Sequence, residues 1–246
     1  RTNDKAVITI PHIQIQNEAG AFNGGNMPMV SVATKLDSTE GAVVLFRPAG
    51  AILKLNIFSS DTGYHGAKVL STSFYSAKWT GLDAATGSNW CVGKLAIDLG
   101  SITASDDISI AKNTIKAVSG SDYLYVGYTM LDNAVTVSGE KQSIYLAVWP
   151  GNYGSYNTDA QTSYIYVQTD KGRFRFNLPD NAADGGYEFA RAMVRPFALD
   201  LSSETAIKNN LPSAEQIRKD ADTEGVGYAS YLADELVVTS DCENLN

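Results

Sequence analysis

The chain alternates. In short stretches separated by Gly, Asn, Asp and Ser, apolar residues fall on every second position. A period of two marks a half-buried strand, because successive side chains leave opposite faces of a sheet. In AILKLNIF, Leu53, Leu55 and Ile57 share one face while Lys54 and Asn56 take the other. SIYLAVW sets Ile144, Leu146 and Val148 against Tyr145, Ala147 and Trp149, and KLAIDL groups Leu95, Ile97 and Leu99. GRFRFNL turns Phe174, Phe176 and Leu178 inward and Arg173, Arg175 and Asn177 outward. Strands with one wet face build antiparallel sheets, and about a dozen at this spacing imply an all-β antiparallel sandwich or a barrel.

Further strands are expected over Ala6 to Ile10, Met29 to Thr34, Val43 to Phe46, Val69 to Tyr75 and Ile108 to Ile110, and again over Tyr123 to Met130, Val135 to Val137 and Met193 to Leu201. SYIYVQT, then Asp170-Lys171-Gly172, then RFRFNL reads as a hairpin with a three-residue loop, its glycine free to take the left-handed backbone such a turn needs. Pro11 interrupts the first run, and the apolar phase moves from Ile8 and Ile10 to Ile13 and Ile15, which predicts a bulge or break on an edge. After Leu201 the alternation stops. Ser213 followed by Gln216 fits a capping box, so Ala214 to Asp222 is expected as a short helix ended near Gly225, with a last apolar run at Leu236, Val237 and Val238. The expected organisation is N-terminal strands over 1–40, one sandwich over 41–201 and an extension with a helix and a terminal strand over 202–246.

Composition narrows the partners. The 19 basic side chains form no run and are outnumbered by 27 acidic ones, for a net charge of 19 − 27 = −8. Nucleic-acid binding needs clustered cations, so no nucleic-acid partner is expected. At 246 residues a chain buries roughly 70 to 75% of its extended surface, enough core to stand without a metal or disulfide. No window reaches the roughly 20 apolar residues that span a bilayer. The chain begins with neither Met nor an apolar signal segment, as expected of a piece of a longer precursor.

Little in the sequence points to catalysis. Cys91 and Cys242 are far apart, which leaves two isolated buried thiols or one long-range disulfide as alternatives. His12 and His65 are the only histidines, the first on the polar side of an alternating stretch and the second in the turn-like DTGYHG; both read as surface residues. No GxSxG, GxxxxGK[ST] or GxGxxG motif occurs. Asp180 to Gly185 and Asp106-Asp107 read as solvated turns, the former lacking the ligand spacing of a calcium loop. With 27 acids, a chance carboxylate pair at glycosidase spacing carries no signal. No enzyme activity, metal or cofactor is expected. The stretch from Trp149 to Tyr166 is rich in aromatics, and Trp149, Tyr153 and Tyr156 are the candidates for glycan or partner contact, against the plainer reading that Trp149, Tyr164 and Tyr166 lie on the outward faces of strands.

Several of these segments, in this order, resemble the fimbrillin family, the type V pilus subunits and related surface adhesins of Bacteroidales. They are VVLFRPAGAILKLNIFS (Val43 to Ser59), KVLSTSFYS (Lys68 to Ser76), the strand around Val92 to Leu99, IYLAVWPG (Ile144 to Gly151) and YVQTDKGRFRF (Tyr166 to Phe176), preceded by IPHIQIQ and MPMVSVAT. The resemblance spans roughly residues 7 to 200. It implies transthyretin-like, Greek-key sandwich domains, export as a lipoprotein whose lipid anchor belongs to the precursor, and display on the outer membrane as a fimbrial component that mediates adhesion. It implies assembly by strand exchange, in which an extended strand of one subunit fills a groove in another subunit or another copy. The candidate exchange strands are Val7, Ile8 and Ile10 at one end and Leu236, Val237 and Val238 at the other; pairing within the chain is the alternative for both. It also implies a host or bacterial surface glycan or protein as adhesion partner. The rival expectation is a carbohydrate-binding or glycan-processing sandwich. If residues 7–34 match the end of the family's first domain, most of that domain lies outside this chain, and the stretch after Leu201 has no counterpart.

Overall fold

The computed structural model describes residues 5–31, 46–76, 79–80, 91–98, 115–117, 123–124, 126–153, 163–178, 187–203 and 206–209. Among them the chain is strand almost throughout, with two 3-10 turns as its only helical pieces. The strands are β1 (Lys5–Ile10), β2 (Ile13–Gln16), β3 (Met29–Ser31), β4 (Phe46–Pro48), β5 (Ala51–Phe58) and β6 (Lys68–Tyr75). They continue as β7 (Trp79–Thr80), β8 (Val92–Asp98), β9 (Ile115–Ala117), β10 (Tyr123–Leu124), β11 (Val126–Thr136) and β12 (Gln142–Val148). The last are β13 (Gly151–Tyr153), β14 (Tyr164–Thr169), β15 (Gly172–Asn177), β16 (Tyr187–Phe189), β17 (Val194–Asp200) and β18 (Ala206–Asn209).

A six-stranded sheet runs β18-β15-β14-β6-β11-β2, and a three-stranded sheet runs β12-β5-β17. Their apolar faces share one core. Leu53, Leu55 and Ile57 of β5 and Ile144, Leu146 and Val148 of β12 are buried with Phe74, Ile165, Val167, Phe174 and Phe176 from the six-stranded sheet. The alternation in AILKLNIF does what period two predicts, and GRFRFNL turns Phe174 and Phe176 into the core, although Arg173 on its other face is buried as well. Smaller sheets, β1-β8-β10 with β9 on β8, β16-β13-β7 and β3-β4, complete an all-β, sandwich-like architecture. The strands of 5–31 pair with later ones: β1 with β8, β2 with β11 and β3 with β4.

Three expectations change in detail. The hairpin forms, but its ladder closes on Thr169 opposite Gly172, which leaves only Asp170 and Lys171 as the loop. Gly172 takes φ 140° as the first residue of β15, while Asp170 Oδ1 accepts from Lys68 N at 2.8 Å and ties the turn to β6. Pro11 marks a change of sheet, since β1 and β2 belong to different ones. The phase of β2 is the reverse of the expected one. Gln14 and Gln16 are buried, while Ile13 and Ile15 are each 46% exposed. The expected strand at Ile108 to Ile110, the helix at Ala214 to Asp222, the run Leu236 to Val238, the loops at Asp106-Asp107 and Asp180 to Gly185, Tyr156 and Cys242 lie outside the described residues.

One glycine holds several layers together. Gly50 sits between β4 and β5, and its N–H donates to the Sδ of buried Met27 at 3.2 Å. A Cβ there would lie 2.7 Å from Ile10 Cδ1, 2.7 Å from the Val148 carbonyl oxygen and 3.0 Å from Met27 Sδ. The carbonyl belongs to a core strand and cannot swing aside. Gly50→Ala is expected to destabilise the fold by about 1–3 kcal/mol, the cost of overpacking, read as a lowered denaturation midpoint with an unchanged slope.

Candidate functional site

A strand of a sandwich has two edges, and each carries backbone groups that need partners. One edge of β12 pairs with β5. Along the other, side-chain amides take the place of a strand. Gln14 Oε1 accepts from Ala147 N at 2.8 Å while its Nε2 donates to Ala147 O at 2.7 Å. Gln16 Oε1 accepts from Tyr145 N at 2.8 Å and its Nε2 donates to Ser143 O at 3.1 Å. Thr129 Oγ1 donates to Tyr145 O at 2.6 Å, and Gly20 N reaches Ser143 O at 2.8 Å. An amide side chain sets a donor nitrogen beside an acceptor oxygen, as successive peptide groups of a strand do, so two glutamines spaced by two residues match the repeat of the strand they face. This is why β2 turns its glutamines inward. On the other side of β2, the Ile15 carbonyl accepts from Asn23 Nδ2 at 3.2 Å, so that edge too is capped by an amide.

The edge of β17 is treated differently. β17 runs parallel to β5. Ile52 N donates to Met193 O at 2.8 Å and Leu201 N to Phe58 O at 2.9 Å, so the odd-numbered residues turn their backbone groups toward β5. Val194, Pro196 and Ala198 therefore turn theirs away, and no described strand meets them. Pro196 occupies a position whose N–H would point outward, where its absence costs the sheet nothing. Its ring blunts an otherwise open edge. At the end of β17, Asp200 Oδ1 accepts from Ser60 N, Ser202 N and Ser202 Oγ at 3.0, 3.0 and 2.6 Å.

Two of the three aromatic candidates are placed in the core. Trp149 and Tyr153 are both 0% exposed. Trp149 Nε1 donates to Gly93 O at 3.2 Å, and Tyr153 OH to Trp149 O at 2.6 Å. Tyr153 also packs on Phe74 and Phe189, with ring centroids 5.2 and 4.8 Å away. Burial, with a smaller electrostatic contribution from Cys91, raises the Tyr153 phenol well above its ordinary pKa, so it stays a donor. These side chains have no surface to offer a ligand, and outward-facing is the wrong description of Trp149. The chain bends at Pro150, directly after β12, and brings Tyr153 OH back to the Trp149 carbonyl. Cys91 is a buried thiol donating to Phe74 O at 3.7 Å. His65 is half-buried in its turn, with Nε2 3.0 Å from Ser59 O.

Val7, Ile8 and Ile10 lie in β1, an edge strand paired residue by residue with β8; Ile10 is fully buried and Val7 is 59% exposed. Among the described residues no three His, Cys, Asp or Glu side chains gather as metal ligands, and no helix is long and apolar enough to cross a membrane. Comparison with protein-family models and with curated proteins finds no match for this chain.

Two tests follow from this geometry. Gln14→Leu swaps polar for apolar in a buried position yet leaves both the N–H and the carbonyl of Ala147 without partners. It is expected to cost about 1–3 kcal/mol in denaturant unfolding, whereas Ile13→Thr on the exposed face should stay within about 0.5 kcal/mol of wild type. For Asp200, partial burial opposes ionisation, but hydrogen bonds from Ser202 and Ser60 outweigh it and lower the pKa from 3.8 to about 2. A depressed carboxylate contributes stability above its unfolded pKa and loses it as pH falls through the folded one. Asp200→Asn should therefore be less stable than wild type at neutral pH, with the gap in melting temperature closing between about pH 4 and pH 2.

Proposed function

We propose that this chain is a non-enzymatic, fimbrillin-like subunit of a cell-surface fibre or adhesin, exported and held at the outer membrane through a lipid anchor carried by its precursor. The observation that carries the reading is the order of its strand motifs. FRPAGAILKLNIF supplies β4 and β5, KVLSTSFY supplies β6, IYLAVWPG supplies β12 and its bend into β13, and YVQTDKGRFRF supplies β14 and β15. The finer reading of the sandwich is a transthyretin-like Greek key. Assembly proceeds by strand exchange between copies or with other pilus subunits, and adhesion to a host or bacterial surface glycan or protein is the purpose of the fibre.

Two features support assembly through strands. Among the described strands β1 has one neighbour, β8, and none pairs with the outer edge of β17. Val7, Ile8 and Ile10 become donors only by leaving β8, and the second donor candidate is Leu236 to Val238. The glycan-binding alternative loses two of its three candidate residues, because Trp149 and Tyr153 are interior, while Tyr156 lies outside the described residues.

Concentrated full-length protein should form oligomers or fibres, visible by light scattering and negative-stain microscopy. A carboxylate placed in a buried donor strand is uncompensated and costs about 3–5 kcal/mol. Leu236→Asp with Val238→Asp should then weaken assembly by roughly two orders of magnitude or more if the C-terminal run is the donor. Val7→Lys should do so if β1 is, with Val7 chosen because Ile10 is needed in its own core. A chain that stays monomeric at every concentration would sink the reading.

A further inference from the structure

Asn23 is the one asparagine of the chain followed by glycine, in Asn23-Gly24-Gly25. It lies on the connection between β2 and β3, and both it and Gly24 are exposed. An asparagine in this setting holds an electrophile, Cγ of its amide, beside a nucleophile, the backbone nitrogen of the next residue. Their meeting requires rotation at Asn23 from its ψ of 106°, so that Gly24 N comes against Cγ. Two glycines in a row make that rotation cheap, and Gly24 has no side chain to obstruct it.

The oxygen that would take the charge already has a donor. Asn23 Oδ1 accepts from Gly25 N at 3.0 Å. Addition of Gly24 N to Cγ drives the carbonyl electrons onto that oxygen, and a backbone N–H beside a developing oxyanion lowers the barrier. Gly24 N gives up its proton and bonds to Cγ, while the Cγ–Nδ2 bond breaks and Nδ2 leaves as ammonia with that proton. A five-membered succinimide remains. Water opens it at either carbonyl, giving aspartate or the isoaspartyl isomer, whose main chain runs through the former side-chain carboxyl. One water enters, one ammonia leaves, and nothing is oxidised or reduced.

The amide is also a structural part. Asn23 Nδ2 donates to Ile15 O at 3.2 Å and caps the outer edge of β2, where Asn26 Nδ2, at 3.5 Å, is the weaker second donor. A carboxylate has acceptors only, so conversion sets oxygen against oxygen there. The isoaspartyl product also lengthens the main chain ahead of Gly24–Asn26, the 3-10 turn that leads into Met27 and its contact with Gly50. We propose that Asn23 is a self-modifying site, where Gly24 N displaces the side-chain amide and the loss of that amide releases the outer edge of β2. The inference does not depend on the fibre reading.

Full-length protein aged at physiological temperature and mildly alkaline pH tests it, with conversion of each asparagine to acid followed by peptide mass spectrometry. Asn17, Asn56 and Asn133 serve as controls, since the residue after each carries a side chain. Asn23 should convert, to both isomers, roughly tenfold or more faster than these, and Gly24→Ala should slow it about fivefold, the rate equivalent of glycine's extra backbone freedom. A Cβ at Gly24 would meet nothing within 4 Å, so that variant keeps the fold. The structural half is read by hydrogen exchange. Asn23→Asp keeps the acceptor for Gly25 N and loses only the donor, so peptides covering 13–28 should exchange several-fold faster than in fresh wild type, with the β14–β15 hairpin unchanged. Aged wild type should move toward the same pattern as conversion proceeds. Conversion of Asn23 no faster than that of the controls, or as fast in Gly24→Ala, would overturn the site. Unchanged exchange over 13–28 in Asn23→Asp would overturn the release.

Discussion

The outer edge of β12 is the constraint on which the rest of the sandwich depends. β12 lies in the core by its even-numbered residues, and its backbone cannot be left with unpaired groups in that setting. Among the described residues no strand pairs with that edge. The fold solves this by running β2 parallel to β11 and turning two glutamines toward β12, so that the seam between the sheets is made of amide side chains. The hydrogen bonds are local in space and distant in sequence, which ties the first strands of the chain to its middle. The same economy recurs where Asn23 caps β2.

The aromatic residues serve the other end of the sandwich. Phe74, Tyr153 and Phe189 meet edge to face or tilted, with Phe197 of β17 at 6.2 Å from Phe189. They join β6, β13, β16 and β17 around a shared centre where the ladders themselves are short. Edge-to-face pairs of this kind add stabilisation beyond area burial. The abundance of aromatics in the chain is thus spent in part on joining sheets.

Much of the architecture was legible. Alternation at Leu53 to Ile57 and at Phe174 to Leu178 named the core strands and their inward faces, and Asp170 to Gly172 named the hairpin between β14 and β15. What alternation could not reveal was which of two faces is buried when the reason is hydrogen bonding. IQIQ reads as isoleucine-in by hydrophobicity alone, and only the position of β12, more than a hundred residues away, reverses it. Trp149 and Tyr153 failed for a related reason. Glycine and asparagine around them suggest a loop, but the bend at Pro150-Gly151 carries the aromatics inward, where their polar atoms meet the carbonyls of Gly93 and Trp149. A long-range partner for a polar atom leaves no local pattern.

The inverted phase of β2 also bears on the order of events in folding. A strand whose faces are isoleucine and glutamine is drawn the wrong way by collapse, because burying Ile13 and Ile15 is what the hydrophobic effect alone favours. A slip of one residue exchanges the two faces. Only a formed β12 offers the row of peptide groups that makes the glutamine face the better one to bury. β2 therefore has reason to settle late, after β5 and β12 have paired, and a contact between residues 133 apart in sequence belongs among the slow closures of the chain. A strand synthesised well before β12 is in this sense among the last to choose a side.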